Sequence, residues 1–305
     1  MPYSPFSVPV PPVLAVGLGS LLLAGCGSTA ASTTNPGAAL RAQLPKAIKS
    51  AGVLRIGSNL NYAPVDFEDQ NATPVGLDPD LAAALGSYLG LKVQFDNMPF
   101  DKLIPAVQSG QIDLAMSAVI DTQQRQTGAD DNGHQVNPGV DFVDYFETGS
   151  TLLVKAGNPA GISTLDNLCG HTVALQSGTI QAQIVARQQT ACARSNRPLK
   201  VDLFDTDGQA LAEVANGTAV ADLNDYPVAA YTTDPSRNGG QFQVTGSLLQ
   251  PSPYGITVAK TDPTLRDVLS SALNQLIRNG SYDKLLTKWD MHDGAIPDAQ
   301  VNGGF

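Results

Sequence analysis

The stretch Asp113-Leu-Ala-Met-Ser-Ala-Val-Ile-Asp-Thr-Gln-Gln-Arg125 decides how the chain is read. Residues 114–119 have the apolar composition of a strand buried in a sheet, and they run into a polar turn that carries an arginine. In an open α/β sheet, whatever lies just past the carboxyl end of such a strand lines the ligand crevice, which places residues 117–125 at a cleft. A guanidinium is charged and planar, and its paired N–H groups match a carboxylate. The stretch alone leaves two readings open: Arg125 holds a small acid, or it lies on the surface and pairs with Asp130 or Asp131.

Upstream, Val53-Leu-Arg-Ile-Gly57 reads as a strand, and Asp78-Pro79-Asp80 opens a helix with a capping acid and a proline in the first turn. Leu81, Leu85, Tyr88 and Leu89 give that helix one apolar face, and Gly90 closes it. Residues 92–95 form the next strand and residues 101–108 a second helix, which Pro105 is expected to bend. Two strand-helix-strand units with short connections imply a parallel sheet. Downstream, residues 127–139 have no apolar period and read as a long exposed loop; Asp130, Asp131 and Asn132 lack the spacing of a calcium loop. A second α/β series follows Gly149, with strands at 151–155, 172–175, 201–204 and 220–223 and helices at 180–189 and 208–216. A strand at 255–259 and two helices starting at Asp262 and Ser281 complete the pattern.

At 305 residues the chain is long enough for two domains, and 42% hydrophobic and 15% charged residues describe a globular protein. The net charge of −10, with no cluster of Lys or Arg, argues against nucleic acid as a partner. Residues 13–24 form an apolar run too short to span a bilayer, ending in Leu22-Leu-Ala-Gly-Cys26, which resembles the lipobox of bacterial lipoproteins. That resemblance implies a signal peptide over residues 1–25, lipidation of Cys26 and anchoring to a membrane, with residues 26–49 as a flexible tether. Cys169 and Cys192 form an even pair, most simply a disulfide in an exported chain. His171 stands alone, so no metal site is expected, and three histidines leave little material for a catalytic set.

From about residue 53 to 291 the sequence resembles the amino-acid-binding proteins of bacterial ABC importers, solute-binding protein family 3. The matching pieces are Arg55-Ile-Gly with Tyr62-Ala-Pro64, Gly76-Leu-Asp-Pro-Asp-Leu81, Pro99-Phe-Asp-Lys-Leu-Ile-Pro105, residues 113–125, Leu175-Gln-Ser-Gly-Thr179, Asp225-Tyr-Pro-Val-Ala-Ala-Tyr231, and Gly280-Ser-Tyr-Asp-Lys-Leu285 with Lys288-Trp289. Each is weak alone; together and in order they are specific. The resemblance implies an α/β, two-lobed, Venus-flytrap fold of the type II periplasmic-binding kind. Lobe 1 would span 50–147 plus 252–293 and lobe 2 148–251, leaving 294–305 as a C-terminal tail.

Carried over position by position, the resemblance gives Arg125 the ligand α-carboxylate, helped by backbone N–H groups at Ile120 and at Thr179 beside Gly178. Asp225 would accept the α-ammonium with oxygens of Ser117 and Ala118, although without the resemblance an Asp before Tyr-Pro reads first as a helix cap. Tyr62 and Phe100 would wall the ligand side chain, and Asn59, where members selecting basic amino acids can carry Asp, favours a neutral polar ligand. The implied protein is a monomeric, lipid-anchored carrier on the outer face of the cytoplasmic membrane or in the periplasm. It would need no cofactor, bind a neutral polar or acidic amino acid, and deliver it to an ABC permease. The alternative is an enzyme on the same fold, such as a cyclohexadienyl dehydratase-like lyase, which would need a general acid or base in the cleft.

Overall fold

The computed structural model describes residues 36–304 except 131 and 238; the expected signal peptide and Cys26 lie outside the described residues. Among the described residues, eleven strands appear in chain order. They are β1 (Val53–Ser58), β2 (Asn61–Tyr62), β3 (Asp66–Glu68), β4 (Pro74–Val75), β5 (Lys92–Asn97), β6 (Leu114–Ala115), β7 (Val140–Lys155), β8 (Thr172–Gln176), β9 (Lys200–Phe204), β10 (Ala221–Asp225) and β11 (Phe242–Ala259). Eight of them form one sheet in the order β5-β1-β6-β11-β7-β10-β8-β9, and β2-β3-β4 make a small antiparallel sheet.

The large sheet consists of two halves joined by its two longest strands. β1 pairs parallel with β5 and β6, as the strand-helix-strand pattern requires, and β8 pairs parallel with β9 and β10. β7 and β11 run antiparallel to each other through both halves, so the chain crosses twice. Apolar side chains divide accordingly. One core gathers Leu54, Ile56, Leu81, Leu85, Tyr254, Leu269 and Leu286; another, built around Val173, Leu175, Val185 and Leu223, sits under the Cys169–Cys192 disulfide, whose Cα atoms are 5.1 Å apart.

Several local expectations are corrected by packing. Residues 36–49, expected within a tether, fold into helices Pro36–Gln43 and Lys46–Ala51, and Leu44 between them and Ile48 of the second are buried against the first core. Pro105 does not bend its helix, because the helix proper begins at Leu103, after a 3-10 turn. In the first turn a missing N–H costs no intrahelical bond. Asp78 is not a cap: Gly76 holds that position, and the buried Asp78 carboxylate instead accepts the N–H of Ala118 at 3.0 Å. Ser281 likewise starts its helix without capping it. The expected strand over 114–119 pairs only as β6. The C-terminal residues are no loose tail; Ile296 and Ala299 are buried, and Val301 bridges to Val143.

Candidate functional site

The site is built where β6 ends. Beyond it Met116 donates to Gly57 O at 3.1 Å, and Ala118 takes φ +50°, a left-handed conformation costly for a residue with a Cβ. Asp78 holds that turn through the Ala118 N–H. The chain then bonds to β11, where Asp121 N–H donates to Pro253 O and Gly255 N–H to Val119 O, each at 2.9 Å. Thr122 caps a five-residue helix, Gln123–Thr127, by accepting the N–H of Arg125.

Arg125 thereby reaches across to the other half of the molecule. Its guanidinium donates to its own turn at Ile120 O (2.7 Å) and to Gly178 O (3.0 Å), and its Cζ lies 5.7 Å from the centre of the Phe100 ring. Gly178 has φ +80°, and a Cβ there would meet Asp101 at 2.9 Å, so a glycine suits this close approach. Burial lowers the Arg125 pKa to about 10, while the nearby charges of Asp225 and Asp121 oppose the drop. It therefore remains a cation at neutral pH.

Asp225 does not act as a helix cap. It occupies the N-cap position of helix Tyr226–Thr233, yet its side chain makes no capping bond. Its carboxylate turns instead toward the cleft, accepting Tyr62 Oη–H at 3.0 Å and Gln181 Nε2–H at 2.7 Å. Burial pushes its pKa up to about 6, offset in part by the hydrogen bonds from Tyr62 and Gln181, the nearby Tyr254 hydroxyl and the Arg125 charge. Tyr62 also bonds Asn224, and its oxygen accepts the Asp225 N–H at 3.1 Å, so one hydroxyl ties the first half to β10. Asn59 makes a second tie by accepting Gln176 Nε2–H at 2.9 Å.

Nine of the ten expected ligand residues line one cavity: Asn59, Tyr62, Phe100, Ser117, Ala118, Ile120, Arg125, Thr179 and Asp225. Gly178 stands just outside it, against Arg125 and Phe100. Ser117 is partly committed already, since its hydroxyl donates to the buried Asp66 and accepts the Asn59 N–H. Thr179 caps the helix Ile180–Arg194 with its hydroxyl, so that helix points its N-terminus into the cavity. Gln176, Ile180 and Gln181 also line it and were not expected. Gln176 is the second residue of the Leu175-Gln-Ser-Gly-Thr179 piece, and an amide ending a buried strand is the signal that could have found it. The walls leave about 20 Å³, room for one water.

The comparisons with known proteins fit this geometry. The family model for bacterial extracellular solute-binding proteins, family 3, matches residues 54–292. The chain belongs to that family. Among curated relatives, the arginine-binding protein ArgT of Corynebacterium glutamicum is 26% identical over 86% of this chain and 82% of its own length. The glutamine-binding protein GlnH of the Bacillus subtilis ABC transporter is 26% identical over 90% and 94%. Among solved structures, an ancestral arginine-binding protein bound to arginine superimposes with TM-score 0.69 at 35% identity, covering 78% of this chain and 98% of that one. The ancestral amino-acid-binding protein AncCDT-1, a precursor of cyclohexadienyl dehydratase, gives 0.69 at 33%, covering 80% and 97%. The family-3 member described here shares their two-lobed, type II periplasmic-binding fold. Its curated relatives are named as binding proteins, not as enzymes.

Proposed function

We propose that this family-3 protein captures a free amino acid between its lobes, residues 50–147 plus 252–293 and residues 148–251, and delivers it to an ABC permease. The observation that carries the reading is that Arg125 and Asp225, borne by different lobes, line one cavity, with Asp225 at a helix N-terminus it does not cap. A zwitterion offers a carboxylate to Arg125 and to the helix N-terminus at Thr179, and an ammonium to Asp225. Both ends are satisfied at once only when the lobes meet, so the ligand binds the closed form better, and that difference drives closure. The interlobe bonds of Arg125 to Gly178 and of Asn59 to Gln176 are those the ligand would replace or join.

The side chain of the ligand is neutral and polar on this reading. Arg125 and Asp225 are the charged groups among the lining residues, and the zwitterion takes both, leaving the amides of Asn59, Gln176 and Gln181 between Tyr62 and Phe100. An acidic side chain would lack a second cation, and a basic one a second carboxylate. The protein acts as a monomer held by acyl chains on Cys26 at the outer face of the cytoplasmic membrane, which the Leu22-Leu-Ala-Gly-Cys26 sequence supports. An enzymatic role has no support from the cavity, since its one lining carboxylate is the group assigned to the ammonium.

A thermal-shift panel of the twenty amino acids tests the proposal, because ligand raises the melting temperature by mass action. The largest shift is expected with L-glutamine, and Arg125→Ala should abolish it. A shift that survives that substitution refutes the assignment of Arg125, and a larger shift with L-arginine refutes the neutral side chain.

A further inference from the structure

The C-terminal residues run behind the turn that presents Arg125. Asp144 N–H donates to Gln300 O at 2.9 Å, and Phe142 N–H to the Asn302 side chain at 2.8 Å, which lays the segment along β7. Gly303 N–H then donates to the Asp144 carboxyl and Gly304 N–H to the Asp121 carboxyl, each at 2.9 Å. Gln126, the neighbour of Arg125, donates to both Asp121 (2.8 Å) and Gly304 O (3.2 Å). Contact is so close that a Cβ on Gly304 would lie 2.2 Å from the carbonyl oxygen of Asp121.

Asp121 and Asp144 are both nearly inaccessible, at 0% and 3% exposure, their charges act on each other, and one carboxyl oxygen of Asp144 is buried without a hydrogen-bond partner. Two ionised carboxylates would repel strongly in so dry a place, so the pair keeps a proton. Burial pushes Asp144 up to about 8, and the Asp121 charge adds to the rise. Asp144 also faces Glu147 on its own strand, and Asp121 faces Arg125. With that proton on Asp144, Asp121 stays anionic beside the guanidinium.

We propose that residues 300–304 form a strap that positions Arg125 for ligand capture, with Asp121, Asp144 and Gly304 as its positioning residues. The strap fixes the floor of the turn from the side away from the cleft, so the guanidinium is held in place before the lobes close. The proposal rests on the assignment of Arg125 to the ligand carboxylate.

Calorimetric titration of L-glutamine and L-arginine into the folded protein tests it. Gly304→Ala is expected to weaken binding about tenfold, a typical coupling through a packed network. Asp144→Asn is neutral beside Asp121 at every pH, so it should hold its affinity between pH 7 and 9 while the wild type weakens above pH 8. The probes' own ammonium titrates identically in both proteins, which leaves the difference between the two profiles as the readout. Parallel profiles, or wild-type affinity in Gly304→Ala, overturn the strap while leaving the function intact. If Gly304→Ala does not fold, the Asp144→Asn profile alone decides. Binding that persists in Arg125→Ala, or a wild type that binds neither probe, overturns the functional reading and the strap with it.

Discussion

Ligand capture should weaken in acid, and the size of the effect follows from Asp225. Its carboxylate must be ionised to accept an ammonium, yet burial raises its pKa to about 6. Above pH 7 almost every molecule is competent. At pH 5 only about one in eleven carries the charge, so the dissociation constant should rise about tenfold, close to 1.4 kcal/mol. The sign for stability is the reverse. Because the folded pKa lies above the unfolded value, Asp225 favours the folded ligand-free protein at low pH, and that contribution is lost as pH climbs from about 4 through about 6. Acid should therefore shrink the ligand-induced rise in melting temperature while leaving the ligand-free protein no less stable on account of this group. Asp207, raised by burial to about 7, and Asp222, raised well above the usual range, adjoin Asp225 through Asn224. The titration should thus be read against Asp225→Asn, which binds weakly at every pH. Calorimetry with L-glutamine from pH 5 to 8, in two buffers of different ionisation enthalpy, measures affinity and proton release together. About half a proton should leave per ligand bound at pH 6. A dissociation constant that stays flat across this range, with no proton released, would refute the pairing of Asp225 with the ammonium.

Other outcomes follow from the same coordinates. Tyr62→Phe removes the hydroxyl joining the lobes through Asn224 and Asp225 and strands their polar groups in the closed form alone. Closure should cost about 1–3 kcal/mol more, read as weaker binding and a larger radius of gyration by X-ray scattering with ligand. Replacing both Cys169 and Cys192 by Ala opens a loop with a sequence separation of 23, worth about 3 kcal/mol in the chain-entropy model, which urea denaturation should report. Leu81→Ala, at a side chain with 0% exposure in the first core, should cost about 2–5 kcal/mol by the same method.

Residues with a local physical signature were legible in the sequence, and those governed by distant partners were not. The helix Pro263–Arg278 could be read because Asp262 caps it and its apolar residues repeat on one face. β7 was read only from residue 151, since Asp141 and Asp144 look like loop residues. In the fold Asp141 is neutralised by Lys260 and Arg266, each at 2.8 Å, and Asp144 accepts a backbone N–H of the C-terminal segment, partners more than a hundred residues away. β11 was read only from residue 255 because Gly246, Pro251 and Pro253 look like breakers; the strand tolerates them by shifting register between Thr245 and Leu249 and again before Ser252. At the site, the charged pair could be named because its chemistry shows in single residues. Gln176 and Gln181 could not, since an amide becomes informative only once its neighbours are known.

Those register shifts have a mechanical consequence. β7 and β11 form a two-strand ribbon that carries all the sheet continuity between the halves, and its ladder is interrupted opposite residues 144–152. A ribbon of this kind flexes readily normal to its own face and strongly resists sliding or stretching along its length. The interruptions confine that flexing to a few residues. The two halves should therefore rock like the covers of a book rather than twist freely, so Arg125 and Asp225 return to the same mutual position each time the covers shut.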